Sequence, residues 1–290
     1  MTHNITLGII GGSGLYDMEG LTNTEECTVD TPFGSPSDTI VTGQLHNQRV
    51  AFLARHGRGH HISPSEINYR ANIYALKSLG VKRIVAVSAC GSLRHDYAPG
   101  DIVIPDQLFD NTKNRVPTFF GGGVVAHIGS ADPFCPALSL RVFQSVDQTL
   151  ATVHNGATYI TIEGPRFSTK AESNTFRAWG MDIIGMTTSP EAYLAREAQI
   201  CYAVMVHVTD YDVWHENEDP VTVEMVIQTV LKNTEIAQSA LLNLTHALPP
   251  EAETGCQCAN ALTDAVMTRS GVIPEDTRAK LGLLLDKSLT

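Results

Sequence analysis

The chain is short of positive charge. Its 290 residues carry 20 Lys and Arg against 31 Asp and Glu, a formal net charge of −11. That balance argues against a nucleic-acid partner, whose phosphate backbone needs a basic surface. Long apolar runs are missing too. No stretch approaches the ~20 residues that cross a bilayer, and Met1-Thr2-His3-Asn4 is no basic leader before a hydrophobic segment. No membrane partner is expected, and the cytoplasm is the expected location. Metal-type cysteine spacing is also lacking. The six cysteines, Cys27, Cys90, Cys135, Cys201, Cys256 and Cys258, form no Cys-x-x-Cys pairs. Cys256-Gln-Cys258 is the one close pair, with His246 upstream and no further ligands at suitable spacing, so surface thiols and no metal are expected. A chain of this length needs no disulfide framework.

Motifs fail in informative ways. Gly11-Gly12-Ser13-Gly14 follows the first strand-like run, but Asp17 stands where a dinucleotide fingerprint requires its third glycine. No Gly-Lys-Ser/Thr follows, so it is not a nucleotide P-loop either. A bare backbone loop with one hydroxyl remains, suited either to an anion or to a plain tight turn. No cofactor is expected.

What is present is alternation. Strand-like runs cover residues 7–10, 49–54, 83–88, 101–104, 157–162, 182–186 and 201–208, with helical stretches at 67–79, 137–150, 170–179, 189–198 and 221–247. This order predicts an α/β fold, a single domain over residues 1–248 with a central mixed, largely parallel β-sheet flanked by helices. Residues 249–290 read as a polar connector and a C-terminal helical tail, an appendage and not a second domain.

The most telling stretch is MTTSPEAYLAREAQICYAVMVHVTDYD, residues 186–212. A helix opens at Ser189-Pro190-Glu191, a strand apolar enough to be buried on both faces follows, and Thr209-Asp210-Tyr211-Asp212 leaves its carboxyl end. Ligands of open α/β sheets bind there. Two aspartates with few bases near them in sequence suit a ligand that offers hydrogen-bond donors or ring nitrogens, although a solvated acidic turn has the same pattern. Three further loops supply an anion's partners. Arg55-His56-Gly57-Arg58-Gly59-His60-His61 concentrates positive charge in an acidic chain, and residues 87–92 and Thr187 bring hydroxyls. Together they describe a metal-free site for a dianion.

The set Gly11-Gly12-Ser13-Gly14, Thr31-Pro32-Phe33-Gly34, Arg55-His56-Gly57-Arg58, Asn68-Tyr69-Arg70-Ala71-Asn72, Ala89-Cys90-Gly91-Ser92-Leu93, Glu163-Gly164-Pro165-Arg166-Phe167, Met186-Thr187-Thr188 and Thr209-Asp210-Tyr211-Asp212 resembles the methylthioadenosine-cleaving branch of the trimeric purine nucleoside phosphorylase family. The resemblance runs in order over roughly the first 245 residues and is poor beyond Pro249. It implies a purine nucleoside phosphorylase-like fold and attack of inorganic phosphate, a co-substrate, on the anomeric carbon of 5′-methylthioadenosine. It further implies a phosphate shell of Ser13, Arg55, His56, Ser88, Ala89 and Thr187, with Ser13 and Ser88 where the family often has Thr. Met186 would lie under the ribose and Phe167 against the base. His127 would be lent by a neighbouring subunit to a methylthio pocket that Val223 and Val226 also line. A homotrimer with active sites at subunit interfaces follows from the same resemblance.

Asp210 and Asp212 favour a 6-aminopurine. A carboxyl can protonate N7 and accept from the exocyclic amine, whereas a 6-oxopurine is better served by Asn. The alternative is a purine nucleoside or methylthioinosine phosphorylase. A hydrolase and a catalytically silent nucleoside-binding protein are further rivals.

Overall fold

The structure, a computed structural model, describes residues 5–15, 17–215, 223–249 and 255–285. In chain order the strands are β1 (Leu7–Gly11), β2 (Thr22–Cys27), β3 (Ile40–Leu45), β4 (Gln48–Ala54), β5 (Arg83–Ser92), β6 (Ile102–Ile104), β7 (Gln107–Asn111), β8 (Val153–Asn155), β9 (Thr158–Ile162), β10 (Ile183–Gly185) and β11 (Cys201–Asp210). The α-helices are α1 (Tyr69–Ser78), α2 (Pro136–Asp147), α3 (Lys170–Ala178), α4 (Thr188–Glu197), α5 (Val223–Ala247) and α6 (Glu275–Leu285). One mixed sheet holds every strand. At its centre β4, β1, β5 and β11 are mutually parallel, so their carboxyl ends share one edge.

Strand β11 sits in the middle and is buried at all ten positions. Its side chains alternate between two cores, as the pleat requires. Tyr202, Val204, Val206 and Val208 join the core under α1, α4 and α6. Cys201, Ala203 and Met205 join the core under α2 and α5. Helices therefore cover both faces, as the near-continuous apolar sequence of the strand implies.

Local chemistry sets the helix ends. Asn68 caps α1 by accepting from the Ala71 N–H at 3.1 Å. Thr169 and Glu172 form a reciprocal capping box at α3. The tail shares the main core: Leu262, Ala265, Ile273, Leu281, Leu284 and Leu285 are buried within it. No helix among the described residues is long and apolar enough to cross a membrane.

Three sequence expectations need correction. Residues 87–92 continue strand β5, because that backbone pairs with β11 and then with antiparallel β10. Asp210 likewise ends strand β11, and only Asp212 lies beyond it. Cys256 and Cys258 are not surface thiols: Cys258 is 2% exposed within the α2–α5 core, and half-buried Cys256 packs against that core. Strands β2, β3, β7 and β8 had no counterpart in the sequence reading. β2 (Thr-Asn-Thr-Glu-Glu-Cys) is exposed along most of its length and carries no apolar run.

One side chain absent from the sequence reading organises the loop after β10. Arg115 is buried, and its Nη1 donates to the carbonyls of Met186 and Ser189, both at 2.6 Å. Its Nη2 donates to the Glu163 carbonyl at 2.7 Å, and its Nε meets the Glu163 carboxylate at 3.2 Å. Arg115→Met keeps most of the volume and strips these acceptors of their donor. It should lower the unfolding free energy by about 3 kcal/mol or more, since a buried polar group left unsatisfied costs about 1–3 kcal/mol. Urea denaturation with an unchanged m-value is the check.

Candidate active site

At the shared carboxyl edge lies a cavity of about 460 Å³. Gly11, Gly12 and Gly14 after β1, Arg55 and His56 after β4, and Ser88 and Ala89 on β5 line it. His207 of β11 and Asn233 of α5 complete the wall. Thr187 is buried at the N-terminus of α4 with its hydroxyl 3.3 Å from that of Ser88. The fold therefore brings Arg55, His56, Ser88, Ala89 and Thr187 together as expected. The backbone of Ser13 sits in a short 3-10 turn beside them. The side chains of Ser13, Val223 and Val226 lie outside the described residues.

Arg55 is engaged from behind. Its Nε and Nη2 each donate to the Glu191 carboxylate at 2.9 Å, Nη1 donates to the Val87 carbonyl at 3.1 Å, and Nη2 also reaches the Ile10 carbonyl at 3.4 Å. Four of the five N–H groups of a guanidinium are thus taken. Glu191 is fully buried and also accepts from the Tyr202 hydroxyl at 2.7 Å. Burial alone would lower the proton affinity of Arg55, but the charge and hydrogen bonds of Glu191 raise it. Arg55 lines the cavity as half of a neutral pair, not as a free cation. Sequence reading took Glu191 for a helix opener; a carboxylate in the first turn of a helix carries no sign of its partner.

The histidines are neutral for a different reason. His56 is pushed down to about 4, chiefly by burial. Its Nδ1 is 2.8 Å from the Ile62 carbonyl, which can only accept, so Nδ1 carries the hydrogen and Nε2 the lone pair. The ring stacks on His60 with centroids 4.2 Å apart. His207, 4% exposed, is also pushed down to about 4 by burial. Neither of its ring nitrogens, and neither amide atom of buried Asn233, has a hydrogen-bond partner among the described residues. Both were missed in the sequence. The one available signal was His207 itself, a lone imidazole in an otherwise apolar strand.

The aspartates follow directly along β5. Asp210 is registered against Gly91, two residues beyond the cavity-lining Ala89. A Cβ at Gly91 would come within 2.9 Å of Asp210 Oδ1 and 3.2 Å of the Asp212 Cβ, so the close approach requires glycine. Asp210 Oδ1 accepts from the Asp212 N–H at 2.7 Å, and Oδ2 lies 2.6 Å from the Thr209 hydroxyl. That hydroxyl is also 3.1 Å from the Cys90 carbonyl and has one hydrogen to give. A protonated Asp210 donates to Thr209, which donates to Cys90; an ionised one takes the Thr209 hydrogen itself. Burial pushes Asp210 up to about 6. Burial also raises Asp212, whose Oδ2 has no partner among the described residues.

The remaining expected residues are spread out. Met186 lies over Gly164, where a Cβ would come within 2.6 Å of its Sδ, and Arg115 holds its carbonyl. Phe167 is partly exposed and outside the cavity lining. His127 is on the surface, its N–H donating to the Ala265 carbonyl at 2.9 Å.

Comparison with known proteins agrees over nearly the whole chain. Residues 6–248 match the model of the phosphorylase superfamily. An S-methyl-5′-thioadenosine phosphorylase of Geobacter sulfurreducens is 52% identical, covering 96% of this chain and 97% of the relative. One from Hyperthermus butylicus is 55% identical over 90% of this chain and 95% of its own. Among solved structures, a methylthioadenosine phosphorylase from an antarctic soil metagenomic library superposes with a TM-score of 0.93 at 48% identity, covering 97% and 99% of the two chains. The Schistosoma mansoni methylthioadenosine phosphorylase in complex with adenine gives 0.82 at 36% identity, covering 98% and 99%. The likeness therefore reaches past residue 248 into the tail, further than the motifs alone indicate.

The raised proton affinity of Asp210 has a measurable consequence. A buried acid that prefers its proton adds stability below the unfolded value near 3.8 and loses it as pH rises through about 6. The shift of roughly two pH units corresponds to about 3 kcal/mol at most. Asp210→Asn is neutral throughout. Its stability relative to the parent should therefore improve by up to about that amount between pH 4 and pH 7. Paired denaturation curves at the two pH values test this; a constant difference would mean that Asp210 is not held as a buried acid.

Proposed function

The chain belongs to the phosphorylase superfamily, and we infer that it is an enzyme that cleaves S-methyl-5′-thioadenosine with inorganic phosphate. The products are adenine and 5-methylthioribose 1-phosphate, which places it in purine and methionine salvage. One observation carries the reading: a cavity walled by glycine loops, His56 and Ser88, with the Thr187 hydroxyl beside that of Ser88, continues along one strand to a buried carboxyl pair.

In this reading phosphate occupies the cavity and the purine faces Asp210 and Asp212. The bond to the base breaks as the sugar becomes cationic, and an anion held beside the anomeric carbon stabilises that charge. The hydroxyls of Ser13, Ser88 and Thr187 donate to the phosphate oxygens, and backbone N–H groups of the glycine loop complete the cradle. His56 Nε2, with its partner nitrogen fixed on Ile62, stays neutral and accepts a hydrogen bond from a phosphate hydroxyl. Arg55 contributes its fixed dipole with Glu191 and one remaining N–H. As the base leaves, Asp210 gives its proton to N7 and its other oxygen accepts from the 6-amino group. With its midpoint near 6, roughly a tenth of Asp210 is protonated at pH 7, so the acid is available at working pH. Met186 supports the ribose and Phe167 covers the base.

The assembly in this reading is a cytoplasmic homotrimer in which His127 completes a neighbour's methylthio pocket with Val223 and Val226. The exposure of His127, beside exposed Val125 and Met267, supports it. The base-side reading needs no metal and no cofactor.

Adenine release from methylthioadenosine should require phosphate or arsenate. Ser88→Ala should raise the phosphate KM by up to about tenfold, as expected for one hydrogen bond of about 0.5–1.5 kcal/mol, with the nucleoside KM little changed. Equal turnover in phosphate-free buffer would identify a hydrolase instead, and no turnover at all a binding protein.

Base choice gives a second test. Asp210→Asn replaces a titratable acid by an amide that can donate to a 6-oxo group. The ratio of kcat/KM for methylthioinosine over methylthioadenosine should rise by a factor corresponding to about 1–3 kcal/mol. Asp212→Asn should change it less. The ratio matters, since absolute activity falls in both; an unchanged ratio in Asp210→Asn means that Asp210 does not read the six-position.

A further inference from the structure

Cys256-Gln-Cys258 shows no ligand partners in sequence, but the fold supplies two. Cys135 stands at the N-terminus of α2, and Cys201 is the first residue of β11. With Cys256 and Cys258 their four sulfurs all lie within 4.8 Å of one another. Cys201 and Cys256 are 3.5 Å apart. Zn–S bonds of ~2.3 Å in a tetrahedron put neighbouring sulfurs about 3.8 Å apart. A disulfide needs ~2.05 Å and relates two sulfurs only, so two disulfides would not require every pair of the four to be close. Here every pair is close.

The surroundings suit thiolates. Cys135 occupies the N-cap of a twelve-residue helix, where an oxygen side chain is usual, and makes no side-chain capping bond. Its sulfur is thus at the positive end of the helix dipole. Arg196 Nη1 donates toward Cys258 Sγ at 3.7 Å, and its Nη2 is anchored on the Asp132 carbonyl. Four thiolates around a divalent ion leave a net charge of −2, which the guanidinium and the helix end oppose. The backbone is pinned as well. The Cys135 N–H donates to the Tyr202 carbonyl at 2.8 Å, and the Cys201 N–H to Lys82 at 3.0 Å.

We propose that Cys135, Cys201, Cys256 and Cys258 form a structural zinc site that fastens the C-terminal segment to helix α2 and the base of strand β11. Four protein sulfurs leave no open coordination position, so the role is structural and not catalytic. Soft thiolate donors in tetrahedral array select zinc over calcium or magnesium, and in a reducing compartment they stay available as thiolates. The proposal is independent of the phosphorolysis reading, and its test does not use activity.

Full-length protein, purified in zinc-supplemented medium with a phosphine reductant and freed of loosely held metal on a mild chelating resin, should retain about one zinc per chain by elemental analysis. A mercurial should release that zinc as it titrates the four thiols. Replacement by cobalt should give the thiolate-to-metal charge-transfer band and the intense visible bands of a tetrahedral sulfur site. Cys258→Ser should lose most of the zinc, and Arg196→Met should weaken zinc binding by about 10–100-fold while all four ligands remain. If Cys258→Ser does not fold, the cobalt spectrum and zinc stoichiometry of the parent protein decide alone. Two outcomes overturn the proposal: four titratable thiols with no retained metal after zinc loading, or a non-reduced mass four hydrogens lighter, which would make the cluster two disulfides.

Discussion

The site depends on one buried ion pair. Arg55 follows β4 and Glu191 lies in the first turn of α4, and their bidentate contact is closed by the Tyr202 hydroxyl from β11. Two of the other three guanidinium hydrogens donate to the carbonyls of Ile10 in β1 and Val87 in β5. Five elements thereby meet on two side chains. Such a pair adds little net stability over apolar residues of the same shape, but losing either member costs about 3–5 kcal/mol because the other is left charged in the interior. Its value is geometric. It fixes where the strand ends stand relative to α4, and Thr187 at the start of that helix is thereby set beside Ser88.

That pair also decides the electrostatics of the cavity. A free arginine would give a strong, unselective anion site. With Glu191 cancelling its charge, and with His56 and His207 held neutral by burial, the cavity carries dipoles and hydroxyls in place of net positive charge. A site of this kind binds phosphate in its ground state less tightly and keeps stabilisation for charge that develops during reaction. Burial treats the carboxyls by the same rule with the opposite outcome. It keeps Asp210 a proton donor near neutrality, where an exposed aspartate would be ionised by more than two pH units. One physical cause thus prepares both ends: uncharged bases around the nucleophile and a partly protonated acid near the leaving group.

The sequence carried this unevenly. Strands buried on both faces were legible because their apolar runs record both cores, and β11 is the clearest case. The edge strand β2 was not, since its pairing with β3 lies in backbone hydrogen bonds that leave polar side chains free. Motif residues that stand next to turns, such as Arg55, His56, Asp210 and Asp212, were legible as chemistry. Groups defined by a distant partner were not. Glu191 meets an arginine 136 positions away, and Arg115 holds carbonyls 71 and 74 positions on. Cys135 and Cys201 were read singly for the same reason, since thiol proximity is created by α2 and β11 and not by spacing.

Strand β11 joins these features into one mechanical unit. Its first residue presents a thiol to the cysteine cluster, its second closes the Arg55–Glu191 pair, its seventh lines the cavity and its tenth is the acid. Because side chains alternate along the regular part of the ladder, Tyr202 and Val208 fall on one parity of the pleat while Cys201 and His207 fall on the other. A one-residue slip would exchange the two sets, moving a phenol toward the α2–α5 core and an imidazole toward the Glu191 side. The parallel ladder to β5 resists this over eight consecutive pairs from Cys201–Arg83 to Val208–Cys90, and the irregularity before Asp210–Gly91 comes only after the cavity has been passed. The ladder therefore keeps its regular register along the nucleophile end and breaks only where a carboxyl must turn over Gly91.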